Sequence, residues 1–385
     1  MAKAIINGAI ISWARQRAEI DPDVLASSIH VKPAQLIAWE NGEMHPSFQQ
    51  AQNLAKKLFI PFGYLFLDQP PVIEPQIRDL RTIRDEQKAQ YSLEFEDVLN
   101  DAQRKQNWYR EQLLQDGVQG HAFIGKYSIR DDAQDVALDI RETLGVDQEF
   151  RNSCSSWEDF LSKFIEKAEA HGILVLRNGV VGNNNTRKLS VQEFRGFVLS
   201  DPIAPLIFIN NNDTQAAKVF TLAHELAHLW IGESGVSNVD PGTRTSVPVN
   251  DIEKFCNKVA AELLVPQEDF MASWDDNSSL KENLTSLSRQ FRVSIPVILI
   301  RAKNLNKIAD QVFYETYPKY NAARKKAESG SGNFNNTLPV RNSKTLTRAV
   351  IMSALEGNTL YRDAAHLLGV KVSTLNSLAS HLEIR

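Results

Sequence analysis

The sequence predicts an α+β chain that is predominantly helical, with an N-terminal helix-turn-helix bundle, a central domain built on a small antiparallel sheet, and a helical C-terminal region. Three observations carry that expectation. Short helical segments joined by a tight connection open the chain. A short apolar strand then passes through a turn into an amphipathic helix. Beyond Pro266 the periodic segments have helical spacing.

The first helices are legible from their ends. Asp21 caps a segment running to Ile29, with Pro22 at its first turn, where a missing amide hydrogen costs nothing. His30-Val31-Lys32 is a tight connection to a second helix, Pro33–Glu40, which Asn41-Gly42 ends; a further helix runs from Ser47 to Leu58. Residues 1–68 therefore form the bundle, and apolar Phe59–Leu67 leaves it to pack against the next domain. Pro70, Pro71 and Pro75 mark a linker, and Ser92–Gln115 reads as a charged amphipathic strut, so 69–125 is a connecting region. Residues 126–275 make the central domain, with helices Ile129–Leu144 and Trp157–His171 before the strand Ile173–Leu176. His171, alone at a helix end, has a capping or dipole-stabilising role. Residues 276–385 complete the chain, with a flexible insert at Ser329–Asn333.

His224-Glu225-Leu226-Ala227-His228 reads as HExxH, the helical zinc motif of metallopeptidases. Residues four apart share a helix face, so both imidazoles reach one metal while Glu225 borders the same pocket. Leu206–Asn210 is the strand before it, Asn211-Asn212-Asp213 the turn, and Asp213 or Thr214 the cap of a helix that continues to Gly232. The competing reading makes the histidines buried structural groups, but Glu225 then needs a buried partner of its own.

A catalytic zinc takes three protein ligands and leaves a position for water. The helix over 251–264 supplies candidates: Glu253, Asn257 and either Ala260 or Ala261 share a face, and the alanines permit close approach to the HExxH helix. Glu233, Asp240, Asp251 and Glu262 compete. Glu233 follows the helix-ending Gly232, and Glu262 lies on another face from Glu253. Cys256 is a further possible ligand, yet with Cys154 the only other cysteine, a buried thiol is the simpler reading.

The stretch from about Gly172 to Pro266 resembles the ImmA/IrrE family of metallopeptidases, often fused to Xre-type helix-turn-helix domains. The resemblance rests on Phe220–His228 and on Glu253-Lys254-Phe255-Cys256-Asn257-Lys258-Val259-Ala260-Ala261-Glu262-Leu263-Leu264-Val265-Pro266, with Arg195–Leu199 and Ala204–Asn210 matching paired strands upstream. It implies a zincin-like metallopeptidase domain in which His224, His228 and Glu253 bind Zn2+, Glu225 is the general base, and Asn257 supports the site from behind. Cys256 and Val259 depart from the family's usual alanine and phenylalanine, conservatively. The zinc would acidify its water and polarise the scissile carbonyl, with Glu225 carrying the proton to the leaving amine. The Arg195–Leu199 strand either offers its edge to an extended substrate peptide or lies inside the sheet.

Residues 1–68 resemble Xre/Cro-type domains, with Ile37–Gly42 in the place of their recognition-helix ending. Lys32, Ala34 and Gln35 then face the major groove of an operator. Residues 1–60 hold six Lys and Arg against five Asp and Glu, so phosphate attraction is small and a single copy binds weakly. A homodimer on a palindrome is the expected remedy. Leu284–Ser294 followed by Ile295–Leu305 has helix-turn-helix rhythm or forms a helical cap on the central domain. Ala364–Leu375 repeats the rhythm of Leu25–Leu36, with Arg341, Lys344, Arg348, Arg362 and Lys371 nearby. A second such module is expected there.

Composition bounds the rest. The net charge of -4 in 385 residues argues against blanket nucleic-acid affinity, and 43% apolar content is ordinary for a globular protein. Two cysteines, no signal-like start and no apolar run of spanning length point to a cytoplasmic protein that is not membrane-bound. The leading expectation is a zinc endopeptidase that cleaves a regulator protein, such as a repressor or a cognate toxin, in a phage, mobile-element, stress or toxin–antitoxin circuit. The alternatives are a DNA-binding autorepressor or antitoxin-like component with secondary proteolysis, and a scaffold with structural zinc. Three ligands instead of four argue against the last.

Overall fold

Local capping decides where the first helices begin. In the computed structural model, which describes residues 3–71, 91–237, 250–322 and 334–382, Asn7 accepts from the Ala9 amide at 3.0 Å to start α1 (Gly8–Arg17). Asp21 and Pro22 open α2 (Pro22–Ser28), and Pro33 opens α3 (Pro33–Glu40). Ser47 and Gln50 form a reciprocal capping box on α4 (Phe48–Lys57). Ile10, Ile11, Leu25, Leu36, Trp39, Leu54 and Leu58 bury between these helices. The apolar exit folds back as a 3-10 turn, Phe62–Phe66, and buries Ile60 and Leu65 in this same bundle, while Phe59, Phe66 and Leu67 stay exposed. Pro75, Asp240 and the insert Ser329–Asn333 lie outside the described residues.

The described chain divides into two compact units. The first holds the bundle and the start of α5 (Leu93–Gln115) up to Glu96; the second holds the described residues from Asp97 onward. In the second, α6 (Ala133–Leu144) starts four residues later than Ile129 because Asp132 caps the Gln134 amide at 2.7 Å. α7 (Gln148–Asn152) and α8 (Trp157–Ala170) come after it. His171 ends α8, and its Nδ1 donates to Lys167 O at 2.9 Å.

Six strands come next: β1 (Leu174–Asn178), β2 (Val180–Val181), β3 (Asn184–Lys188), β4 (Gly196–Leu199), β5 (Leu206–Asn210) and, after α9 (Gln215–Trp230), β6 (Gly235–Ser237). The main sheet has the order β1-β5-β4-β6, and β2 and β3 form a separate hairpin. β4 and β6 pair antiparallel with their neighbours, as expected, but β1 runs parallel to β5, so the sheet is mixed. β4 is paired on both sides: Gly196 meets Ile209 of β5 and Ser237 of β6. Its edge is therefore not open to a peptide. Every residue of β5 is buried, which fits its unbroken apolar text and its place between two strands.

α9 packs across β4 and β5, and α10 (Asp251–Leu264) packs on α9. Leu222, Ala223, Leu226, Ala227, Val259, Ala260 and Leu263 are fully buried in one core with Ile207 and Ile209. The small alanines let the two helices approach. α11 (Gln267–Ser273), α12 (Leu280–Phe291), α13 (Ile295–Asn304) and α14 (Asp310–Ala322) cover this core, and α15 (Phe334–Asn342), α16 (Lys344–Leu355), α17 (Tyr361–Leu368) and α18 (Val372–His381) end the chain. Among the described residues no helix is long and apolar enough to cross a membrane.

Candidate metal centre

Thr214, rather than Asp213, caps α9: its hydroxyl accepts from the Ala217 amide at 3.3 Å. Asp213 instead takes an ion pair from Arg195 at 2.5 Å, which ties the start of α9 to the residue before β4. Three turns along α9, His224 and His228 present their Nε2 atoms to a single point, 3.1 Å apart. Glu253, from the first turn of α10, completes a triangle: its carboxylate oxygens lie 3.2 Å from His224 Nε2 and 3.1 Å from His228 Nε2. His224 is 3% exposed, and His228 and Glu253 are 0% exposed.

Such a group is unfavourable without a cation at its centre. Two imidazole lone pairs and a carboxylate converge with almost no water to separate them. Asn257 settles the proton position on His224, since its Oδ1 accepts from Nδ1 at 3.0 Å and so leaves Nε2 as a lone pair facing Glu253. A tetrahedral ion with bonds of about 2.0–2.1 Å holds its donor atoms about 3.3 Å apart. The triangle has nearly that edge, and the donors (two imidazole nitrogens and one carboxylate oxygen) are those zinc accepts, so these residues fit the ion. Burial favours the neutral carboxyl of Glu253; with protons instead of a cation on the facing imidazole nitrogens, their charges and hydrogen bonds outweigh burial and hold the group at about 2. Burial drives His228 down, while in His224 the Glu253 carboxylate overcomes the same effect and raises it.

Glu225 lies beside the triangle, fully buried, and neither of its oxygens has a well-formed hydrogen bond. Burial pushes its carboxyl up to about 8; His224 opposes this, and the Glu253 carboxylate adds to it. The Ser237 hydroxyl of β6 comes near enough to stabilise the anion without making a directed bond. Arg195, Phe220, Thr221 and Ser237 line a cleft over His224 and Glu225 with room for about one water molecule.

The competing carboxylates go elsewhere. Glu262 pairs with Arg301 and accepts the Gln267 amide at 3.0 Å. Asp251 is exposed beside Lys254, and Glu233 sits past the end of α9, its amide donating to His228 O at 3.0 Å. Cys256 points into the core, where burial raises its thiol well above the usual range. Cys154 is likewise buried, its Sγ donating to Phe150 O at 3.3 Å. Among the described residues, His224, His228 and Glu253 form the one group of three or more such side chains with metal-holding geometry.

Residue-type reasoning passes over Gly196. A Cβ built there would lie 2.7 Å from Glu225 Oε1, 2.7 Å from Thr221 Cγ2 and 3.0 Å from Phe208 O. β4 can pass this close to α9 only because the residue facing Glu225 has no side chain. Gly196→Ala is expected to cost about 1–3 kcal/mol by overpacking, read as a lowered Tm; an unchanged Tm would show that Glu225 moves aside freely. The sequence signal is a glycine opening a strand that faces the HExxH helix, interpretable only once their separation is known.

In the first unit, Lys32 and Ala34 are exposed on the N-terminal turn of α3, whereas Gln35 is half-buried. Ile37, not singled out from sequence, is 48% exposed on the same helix. Arg15 is held by Glu40 through paired bonds of 2.7 and 3.1 Å, which raise its pKa and occupy its charge locally.

Comparison with known families agrees with this architecture. Residues 11–65 match the helix-turn-helix family model, residues 168–303 match a peptidase family described as the IrrE N-terminal-like domain, and residues 342–381 match a domain of unknown function (DUF8813). No curated protein and no solved structure matches the chain. The chain therefore joins a helix-turn-helix domain to an IrrE N-terminal-like domain of a peptidase family, in that order.

Proposed function

We propose that this protein is a zinc-dependent endopeptidase whose substrate is a regulator protein, and that its helix-turn-helix unit brings it to an operator or to that regulator. The observation that carries the reading is the buried convergence of His224, His228 and Glu253 beside Glu225, a carboxyl whose oxygens make no directed hydrogen bond. A purely structural role leaves Glu225 costly and unexplained. A zinc ion bound by the three side chains supplies Lewis acidity towards the scissile carbonyl and acidifies a water molecule. Glu225 takes a proton from the attacking water and returns it to the leaving amine nitrogen, so no net proton is lost from the enzyme. Asn257 keeps the His224 Nδ1 proton in place and so holds the opposite nitrogen ready as a donor pair.

Asn257→Ala should accordingly weaken zinc binding about 10- to 100-fold, measured by competition with a chromophoric chelator; unchanged affinity would remove Asn257 from the site. In the first unit, exposed Lys32 and Ala34 and half-buried Gln35 are the proposed groove contacts. The near balance of charge there favours binding that needs a second reading head or a second copy.

The test is direct. Zinc-loaded protein is incubated with the products of adjacent genes, helix-turn-helix repressors first, and fragments are identified by mass spectrometry. A single internal cut that disappears with Glu225→Gln supports the reading. Cleavage that survives that substitution sinks it.

A further inference from the structure

The connection that joins α2 to α3 recurs in the second unit, twice before a helix of ten residues. In each copy a residue in the left-handed region ends the first helix: His30 (φ 57°), Arg292 (φ 53°) and Gly369 (φ 68°). A valine comes next, and its amide bonds back five residues: Val31 to Ala26 O at 3.0 Å, Val293 to Ser288 O at 3.2 Å, Val370 to Ala365 O at 2.8 Å. The residue after the valine caps the second helix with extended backbone: Lys32 (φ -76°, ψ 143°), Ser294 (-75°, 155°) and Lys371 (-79°, 149°). These three turns share one geometry, which Gly145-Val146-Asp147 also adopts before the five-residue α7, and the first of the three belongs to the segment that matches the helix-turn-helix family.

Burial separates the three. In the middle copy, Ser294, Pro296, Val297, Ile298 and Leu299 are buried in the core, so α13 has no face to offer and this copy is a structural cap. In the last copy, Lys371, Val372, Ser373, Asn376 and Ser377 are exposed, while Leu375, Leu378 and Ala379 bury against the other C-terminal helices. Leu25–Leu36 and Ala364–Leu375 agree in burial at each position except that shared by Ser28 and Leu367. The exposed positions of α18 match those of α3 as far as Asn376 and Ile37, after which Ser377 is exposed where Ala38 is buried; hydrogen bonds from Asn183 to Gly369 O (2.6 Å) and from Asn342 to Leu368 O (3.1 Å) brace the turn without covering that face.

Charge points to the ligand. Residues 342–381 hold four Lys and Arg against two Asp and Glu, whereas residues 11–65 hold five against five, in a chain of net charge -4. The C-terminal copy is therefore the more cationic of the two exposed ones by sequence; Lys344 pairs with Glu166 and Arg362 with Asp363, so the cations it offers are Lys371 at the start of its second helix and exposed Arg348 on α16. The face itself carries amide and hydroxyl groups (Asn376, Ser373, Ser377), which suit base edges and phosphate oxygens. We propose that α16–α18 is a second DNA-reading unit, with α18 as its recognition helix and duplex DNA as its ligand.

The full-length protein is titrated by fluorescence anisotropy against short duplexes with a randomised core, over a range of salt. Lys371→Ala should lower affinity about three- to tenfold and flatten the log–log salt dependence by about one, the share of one lost phosphate contact. The effect should persist in a Lys32→Ala background, because it belongs to a separate reading unit. Ser373→Glu places an anion on the same exposed face and should weaken binding more. Should either variant fold poorly by circular dichroism, the other supplies the answer, and Asn376→Ala tests the same face without a charge change. Isotherms and salt slopes unaltered by Lys371→Ala and Ser373→Glu overturn the proposal. A loss of complex with a protein partner at constant DNA affinity overturns it as well, and gives the face to protein.

Discussion

Glu225→Gln is expected to remove peptide cleavage by a factor of about 10²–10⁴ while leaving zinc content and fold intact. The side chain is completely buried, and its two oxygens lack directed hydrogen bonds, so replacing it with an amide of the same shape breaks no structural bond. Stability should not fall, because a carboxyl held up to about 8 by burial is a group the folded core tolerates poorly in its charged form. Activity falls because the amide cannot accept and return a proton. Cleavage kinetics, bound zinc and Tm, measured on one preparation, check all three parts. A variant that cleaves at the original rate would show that the catalytic proton passes elsewhere.

Removing zinc should have the second large effect, and it should be local. His224, His228 and Glu253 join α9 to α10 across the core, so an ion held there stabilises the packed helices against unfolding. At free zinc about 100 times its Kd, the linkage amounts to about 2.7 kcal/mol. For a domain of this size that corresponds to a Tm shift of about 5–10 °C. A chelator should lower the Tm of the second unit by that amount and leave the first unit unchanged, since the candidate ligands lie wholly outside it. His228→Ala should abolish the zinc-dependent part of the shift. Scanning calorimetry with and without chelator decides; equal Tm values in both conditions would argue that no ion stabilises this core.

Much of the fold is legible from local text. Pro22, Pro33, Asp21 and the Ser47/Gln50 pair mark helix starts by chemistry that needs no distant partner, and those helices begin where expected. Asp132 overrides apolar periodicity at the start of α6, because a side-chain cap is stronger than the weak preference of Ile129 to join the helix. Strand partners are less accessible. Arg195–Leu199 is readable as a strand, but its pairing with Gly235–Ser237 is not, since three residues carry too little pattern to announce an edge. The parallel match of β1 with β5 also depends on how the β2–β3 hairpin and β4 return the chain, which periodicity does not encode.

Helical spacing alone puts His224 and His228 on one face and Glu225 beside them, because the 3.6-residue repeat is a property of the backbone. Choosing among Glu253, Glu233, Asp251 and Glu262 requires the packing of α10 on α9, with Arg301 drawing Glu262 away and solvent claiming Asp251. Likewise, three similar turns are written in the text around Val31, Val293 and Val370, yet burial of α13 and exposure of α18 are set by neighbours far along the chain. Intervals of a few residues are governed by local dihedrals and caps; contacts between distant segments are governed by how apolar faces are covered, and that is a property of the whole folded chain.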